Sequence, residues 1–152
     1  MQIRRATAAD IRAIIEIELQ SATAAHWSEQ QYREAINPAQ GAAQRLVLIS
    51  READQAPPTA FLVAHRVAPE WELENVAVAP HQRRRGVAKQ LLNALIAEAQ
   101  TVNSESIFLE VRESNLAART LYERAGFQKT GRRHGYYADP SEDAILYCLA
   151  LK

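Results

Sequence analysis

One segment near the middle of the chain passes from an apolar strand through a basic turn into a long amphipathic helix. The strand pattern ends at Val78, three consecutive arginines occupy positions 83–85, and Gly86 directly precedes the helical periodicity. Glycine lets the backbone approach a ligand closely, and a helix start presents unpaired N–H groups and a positive dipole end. The segment therefore predicts a diphosphate site, although an isolated basic turn is also typical of a solvated surface.

Composition restricts the classes of protein that fit this chain. The 152 residues suit a single domain over 1–152, and 18 basic residues balance 18 acidic ones, which leaves no global field to attract nucleic acid or an anionic membrane. The N-terminus has no apolar leader pattern, and no apolar run reaches the roughly 18 residues of a spanning helix. We therefore expect a cytoplasmic monomer or weak dimer whose function lies in a local site.

The chain has one cysteine, Cys148, in the apolar segment near its end. A single cysteine excludes an internal disulfide and a cysteine-rich metal cluster. Its apolar neighbours predict a buried structural thiol.

Apolar periodicity predicts an alternation of strands and helices with no repeat or linker. Ser28 begins a capping-box pattern, Asn37-Pro38 ends the helix that follows, and Gly126 is expected to stop the last helix. This pattern predicts one mixed α/β sheet with helices on both faces. The predicted strands are 2–5, 46–50, 60–67, 71–78, 107–111, 127–132 and 144–151, and the predicted helices are 10–20, 28–36, 86–102 and 115–125.

Three residues after the central helix suggest chemistry. Glu110 interrupts an apolar strand, where burial makes a charge costly and adapts a carboxylate to general-base work; an edge glutamate that points to water is an equal alternative. Tyr122, on the next helix, could donate a proton to a leaving group, although such tyrosines more often fill the core. Asn115 is typical of a helix N-cap.

Two motifs follow one another along the chain. The first has the form Arg/Gln-x-x-Gly-x-Gly/Ala and is met by Arg83, Gly86 and Ala88. The second has the form Asn-x-x-Ala-x-x-Leu-Tyr-x-x-x-Gly-Phe and is met by Asn115, Ala118, Leu121, Tyr122, Gly126 and Phe127.

In this order the two motifs resemble those of the GCN5-related N-acetyltransferase (GNAT) family, in which the first is the phosphate turn. The resemblance covers nearly the whole chain and implies the GNAT fold, a central mixed, mostly antiparallel sheet flanked by helices on both faces. It also implies acetyl-CoA as co-substrate and no metal.

The resemblance implies a function for each site position. Glu110 would take a proton from the acceptor amine and Tyr122 would give one to the departing CoA thiolate, with Glu74 as a rival base. Transfer through Cys148 is disfavoured by its apolar strand. Asn115 would contact the cofactor arm. Strand backbone for the pantetheine would come from Val76, Ala77 and Val78, and the pyrophosphate would be wrapped by Arg84, Arg85, Gly86, Val87, Ala88 and Lys89.

The acceptor is implied by a narrower resemblance, to bacterial members of the family that acetylate ribosomal proteins. It rests on the segments around Trp27, Glu110 and Tyr136-Tyr137, and it implies a protein N-terminus, in particular the N-terminal alanine of ribosomal protein S18. His26 departs from the proline common at its position. At pH 7, freeing an α-amine costs about 1.1 kcal/mol and a lysine roughly 4.6 kcal/mol, so a modest base suffices for the α-amine.

The tyrosine pair precedes Asp139-Pro140, a turn signal, so we expect Tyr136 and Tyr137 in a loop that packs against an extended peptide. Two alternatives stay open. A small-molecule amine acetyltransferase would use the same cofactor residues with an enclosed acidic pocket. An acetyl-CoA-binding regulatory module would need neither Glu110 nor Tyr122.

Overall fold

A computed structural model describes residues 1–21, 24–38 and 44–152, and within these ranges the chain forms seven strands and four α-helices. The strands make one sheet in the order β1-β2-β3-β4-β5-β7-β6, antiparallel except for the parallel pair β4–β5. The predicted mixed, mostly antiparallel architecture is confirmed. The strands are β1 (Gln2–Arg5), β2 (Arg45–Arg51), β3 (Pro58–Val67), β4 (Glu70–Val78), β5 (Ser106–Arg112), β6 (Gln128–Tyr137) and β7 (Glu142–Ala150), and the helices are α1 (Ile11–Leu19), α2 (Glu29–Ile36), α3 (Val87–Thr101) and α4 (Leu116–Arg124).

Helices cover both faces of the sheet, as the sequence predicts. On one face, Ile14 of α1 and Tyr32 of α2 pack against Phe61 of β3. On the other, α3 contributes Leu91, Leu92 and Leu95, and α4 contributes Tyr122. These apolar faces drive the assembly of the layers, since burying apolar surface is the dominant favourable contribution to folding.

The helix ends lie where the sequence predicts them. The backbone N–H of Gln31 donates to Ser28 Oγ at 3.1 Å, and the Ser28 N–H donates to Gln31 Oε1 at 2.7 Å, which completes the capping box. After α4, Gly126 adopts a φ of +102°. The N–H of Phe127 then donates to the Tyr122 carbonyl at 3.0 Å, as in a Schellman motif. This turn holds Phe127 beneath Tyr122.

A β-bulge in β4 shapes the centre of the sheet. Val63 of β3 pairs with Asn75 and Ala64 pairs with Leu73, so Glu74 is the extra residue between them. A bulge bends its strand and changes which face the following side chains occupy. Leu73 accordingly packs with the α3 core, whereas Ala77 packs with the α1 and α2 core.

The pairing of β4 with β5 ends soon after it begins. Its last pair is Glu72 with Phe108, although both strands continue for several residues. The two strands therefore separate towards their carboxyl ends, and a cleft opens between them.

Two predictions were wrong in this part of the fold. The strand predicted to end at 132 continues to Tyr137, so Tyr136 and Tyr137 belong to β6 and not to a loop. No residue of β6 is buried, so this strand has no apolar face that alternation would mark, and the polar segment 128–137 therefore gave no strand signal. The second wrong prediction is the buried thiol, because Cys148 is only half-buried. Its partners in the neighbouring strands are Phe108 of β5 and Gln128 of β6, and β6 lies at the edge of the sheet.

Candidate active site

A cleft of about 630 Å³ occupies the space between the separated ends of β4 and β5. It contains four of the predicted site residues, Val76, Glu110, Asn115 and Tyr122, together with the rival base Glu74. The segment before α2 and the end of β6 close its sides, with His26 and Trp27 from the first and Tyr136 and Tyr137 from the second.

Three glutamates of the described residues line this cleft, and each has a different environment. Glu74 receives two hydrogen bonds from Arg45, from Nε at 2.8 Å and from Nη2 at 3.3 Å. The Arg45 guanidinium also lies over the Trp27 ring, 5.5 Å from its centroid. Glu110 Oε1 lies 2.9 Å from Arg133 Nε.

Glu72 is the third glutamate of the cleft, and no sequence pattern used above selected it. Burial raises the pKa of Glu72, and the nearby carboxylates of Glu74 and Glu110 raise it further. Within the described residues it has no salt bridge. The available signal was the alternation of Glu70, Glu72 and Glu74 with apolar residues, which predicts one acidic face on β4.

Tyr122 is buried in the α3 and α4 core and still reaches the cleft. Its ring lies 5.7 Å from Phe127 and 6.3 Å from Tyr147, centroid to centroid. Burial raises the pKa of Tyr122 well above its usual range. The phenol therefore keeps its proton at neutral pH, as a proton donor must.

The predicted phosphate turn has the backbone geometry of an anion site. Arg84 and Gly86 adopt φ values of +64° and +76°. The first helical hydrogen bond of α3 runs from the Gln90 N–H to the Gly86 carbonyl at 3.1 Å. The N–H groups of Val87–Lys89 therefore precede the helical ladder and point out of the helix start.

The arginines of the turn have different environments. Arg83 donates from Nε to the Val78 carbonyl at 2.9 Å and from Nη2 to the Gln20 carbonyl at 3.2 Å, so it ties the end of β4 to the end of α1. Arg84 and Arg85 are exposed. Along β4, Val76 lines the cleft, and Ala77 is buried on the α1 side.

The segment before α2 is fixed by two polar residues that the sequence analysis did not select. Buried Glu18 accepts hydrogen bonds from the Trp27 N–H at 2.8 Å and from the Tyr32 hydroxyl at 2.6 Å. Asn75 Nδ2 donates to the Ala25 carbonyl at 3.1 Å. These bonds hold the aromatic ring of Trp27 at the cleft.

The opposite wall is aromatic. The rings of Tyr136 and Tyr137 meet edge to face with centroids 5.1 Å apart. Arg112 lies over Tyr137 at 4.4 Å. Burial raises the pKa of Tyr137 to about 12, with Glu110 as the next contribution. Although the pair lies in a strand, it faces the cleft where the sequence analysis expected an acceptor wall.

The chain belongs to the acetyltransferase (GNAT) family, whose sequence profile matches residues 11–127. In sequence it is similar to the [ribosomal protein bS18]-alanine N-acetyltransferase of Salmonella typhimurium, with 43% identity over 94 residues. The match covers 60% of this chain and 64% of the relative, slightly less than two thirds of its length.

The fold is shared with solved structures over nearly the whole chain. The ribosomal-protein-S18-alanine N-acetyltransferase from Escherichia coli superposes with a TM-score of 0.82 and 31% identity, covering 99% of this chain and 94% of that one. Arabidopsis thaliana NAA60 in complex with acetyl-CoA superposes with a TM-score of 0.83 and 18% identity, covering 98% and 97%. The expected family and fold are confirmed.

Among the described residues, no helix is long and apolar enough to cross a membrane. In the same ranges, no group of three or more histidine, cysteine, aspartate or glutamate side chains is arranged to hold a metal ion.

Proposed function

We propose that this protein transfers the acetyl group of acetyl-CoA to the N-terminal α-amino group of a protein, with the N-terminal alanine of ribosomal protein S18 as the first acceptor to test. One observation carries the proposal. The separated strands β4 and β5 leave a cleft that contains both acidic side chains and a buried, protonated tyrosine. The activities for which the Salmonella and Escherichia relatives are named support the same conclusion.

The residues present fit acetyl-CoA, a long molecule with anionic phosphates. The free N–H groups of Val87, Ala88 and Lys89 would hold the pyrophosphate, with Arg84 and Arg85 adding positive charge. No atom lies within 4 Å of a Cβ built on Gly86, so the turn is open to a ligand.

The pantetheine arm would follow β4 into the cleft. Past Glu72 this strand no longer pairs with β5, so the backbone of the segment Val76–Val78 is open to the cofactor on that side at Val76, whereas the Val78 carbonyl already accepts from Arg83 Nε. Asn115 Oδ1 already accepts from the Ala118 N–H at 3.2 Å. Its amide nitrogen remains to contact the cofactor arm.

The cleft residues supply the proton transfers. When bound, acetyl-CoA supplies the activated acetyl group. The acceptor nitrogen bonds to the carbonyl carbon as the carbon–sulfur bond breaks. Glu110 takes the amine proton, and Tyr122 gives its proton to the departing thiolate. Glu110 suits the base better than Glu74, because Arg45 holds Glu74 through two hydrogen bonds.

The aromatic walls select the acceptor. Trp27 on one side and Tyr136 and Tyr137 on the other border the place where the first residue of a peptide would lie. Aromatic rings exclude water and leave limited room for a side chain. We therefore expect a preference for a small first residue such as alanine.

A peptide series that differs only in residue one tests this function, with acetylation measured by mass spectrometry. Wild-type enzyme should prefer alanine over leucine or phenylalanine, and Tyr136→Ala or Tyr137→Ala should remove that preference. Val67→Ala, an exposed apolar change at the end of β3, is the matched control and should leave it intact. Equal rates for a free polyamine and every peptide would favour the small-molecule alternative, which the acidic lining also suits.

A further inference from the structure

Two of the three cleft glutamates already contact guanidinium groups, and the two pairs differ in strength. Arg45 holds Glu74 with two hydrogen bonds, stacks over Trp27, and has 29% of its side chain exposed. Arg133 Nε lies 2.9 Å from Glu110 Oε1, and 56% of the Arg133 side chain is exposed. An exposed ion pair is weak because water competes for both charges. The Arg133 pair is therefore the one that opens readily.

The weak pair also occupies a position that the reaction needs. Under the proposed function, on which this inference rests, the acceptor amine arrives as an ammonium ion and must hydrogen-bond Glu110. Arg133 Nε lies 2.9 Å from Oε1 of that carboxylate, and a second cation on the same side would be repelled by the guanidinium. We infer that Arg133 is a resident cation, which occupies the ammonium position at Glu110 in the free enzyme and leaves it when the acceptor binds.

Charge balance in the cleft gives the reason for such a cation. Glu72, Glu74 and Glu110 are close enough that the pKa of Glu72 is raised by its two neighbours. Like charges at this separation repel, and the repulsion is strongest where water is scarce. Arg133 offsets one of the charges until the acceptor supplies its own.

Arg133 can move aside without disturbing the sheet. It lies on β6, an edge strand, which among the described residues pairs with β7 alone. Its guanidinium lies 5.7 Å from the Tyr136 centroid, so the ring offers a second position close by.

Peptide binding to the enzyme saturated with CoA measures the exchange without turnover, because CoA has no acetyl group to transfer. In calorimetric titrations, Arg133→Gln should lower the dissociation constant of an alanine-initiated peptide by about two- to fivefold, the value of an exposed ion pair. Arg133→Lys should bind like wild type. The same peptide with an acetylated N-terminus has no ammonium ion, so its dissociation constant should be the same for Arg133→Gln as for wild type.

Lys129→Gln is the matched control, since it removes a positive charge from the same strand, four residues earlier. Equal gains in Lys129→Gln and Arg133→Gln would overturn the inference in favour of a long-range charge effect. Weaker binding in Arg133→Gln would also overturn it, because Arg133 would then contact the acceptor directly. A separate turnover assay of Glu110→Gln tests whether Glu110 is the base. The peptide-binding measurement involves no turnover, so the two proposals can fail independently.

Discussion

Gly86 is the position at which the phosphate turn can be tested most directly. Its φ of +76° and ψ of +14° lie in the left-handed region, and an added Cβ meets no protein atom within 4 Å. A side chain at this position therefore causes no clash within the protein, and its cost is conformational. For a residue with a Cβ the left-handed conformation costs roughly 1–2 kcal/mol, and valine belongs at the upper end because it is β-branched.

In Gly86→Val this cost must appear in one of two measurements. If the turn keeps its shape, the free energy of unfolding falls by about 1–2 kcal/mol, which lowers the Tm by roughly 2–8 °C. If the turn relaxes, the N–H groups of Val87–Lys89 lose their arrangement, and the same free energy weakens acetyl-CoA binding by about 5- to 30-fold. The valine methyl groups also crowd the approach of the pyrophosphate.

Thermal unfolding and calorimetric titration with acetyl-CoA measure the two effects on the same samples. Gly131→Val is the matched control, because Gly131 also has open space around its Cβ position but no left-handed φ. We expect the control to change neither quantity as much. A Gly86→Val variant that keeps both the wild-type Tm and the wild-type affinity for acetyl-CoA would refute the reasoning and remove the pyrophosphate from this turn.

Three other substitutions test the cleft. Glu110→Gln should lower kcat by roughly 10²–10⁴ with acetyl-CoA affinity nearly kept; an active Glu110→Gln beside a dead Glu74→Gln would reverse the assignment. Tyr122→Phe should slow turnover, and mass spectrometry that finds acetylated Cys148 without acceptor would contradict direct transfer. Glu72→Gln should stabilise the fold at pH 8 but not at pH 4, as denaturant unfolding would measure. The raised pKa of Glu72 means that the folded state holds the proton more tightly, so wild-type stability falls as pH rises above the unfolded value.

Elements with strong periodicity could be predicted from sequence alone. The capping box at Ser28 and the stop at Gly126 depend on residues close together in the chain, and the structure contains both. The end of β6 could not be predicted in the same way. Tyr137 belongs to the strand because it pairs with Glu142 of β7. The local sequence of a polar edge strand does not predict that pairing.

The candidate site also combines local features, which could be predicted from the sequence, with tertiary features, which could not. A motif within a few residues, such as the turn before Val87, is local and was recognisable. The importance of Glu72 depends on where β4 stops pairing with β5 and on which residue forms the bulge, and both are tertiary features. The Glu110 contact with Arg133 likewise joins β5 to β6 across the intervening strand β7.

The bulge and the strand separation together determine how the carboxylates of this cleft are placed. The bulge lies at Glu74, which Arg45 holds in place, and the separation leaves Glu72 and Glu110 lining the cleft. Burial and the crowding of charge disfavour ionisation of Glu72, so this carboxylate holds a proton more tightly than an ordinary glutamate does. An α-amine needs only about 1.1 kcal/mol to lose its proton at pH 7, and a lysine needs roughly 4.6 kcal/mol. Under the proposed function, deprotonation therefore costs less for an α-amine than for a lysine, and the α-amine is also the acceptor class that we expect the aromatic walls to favour.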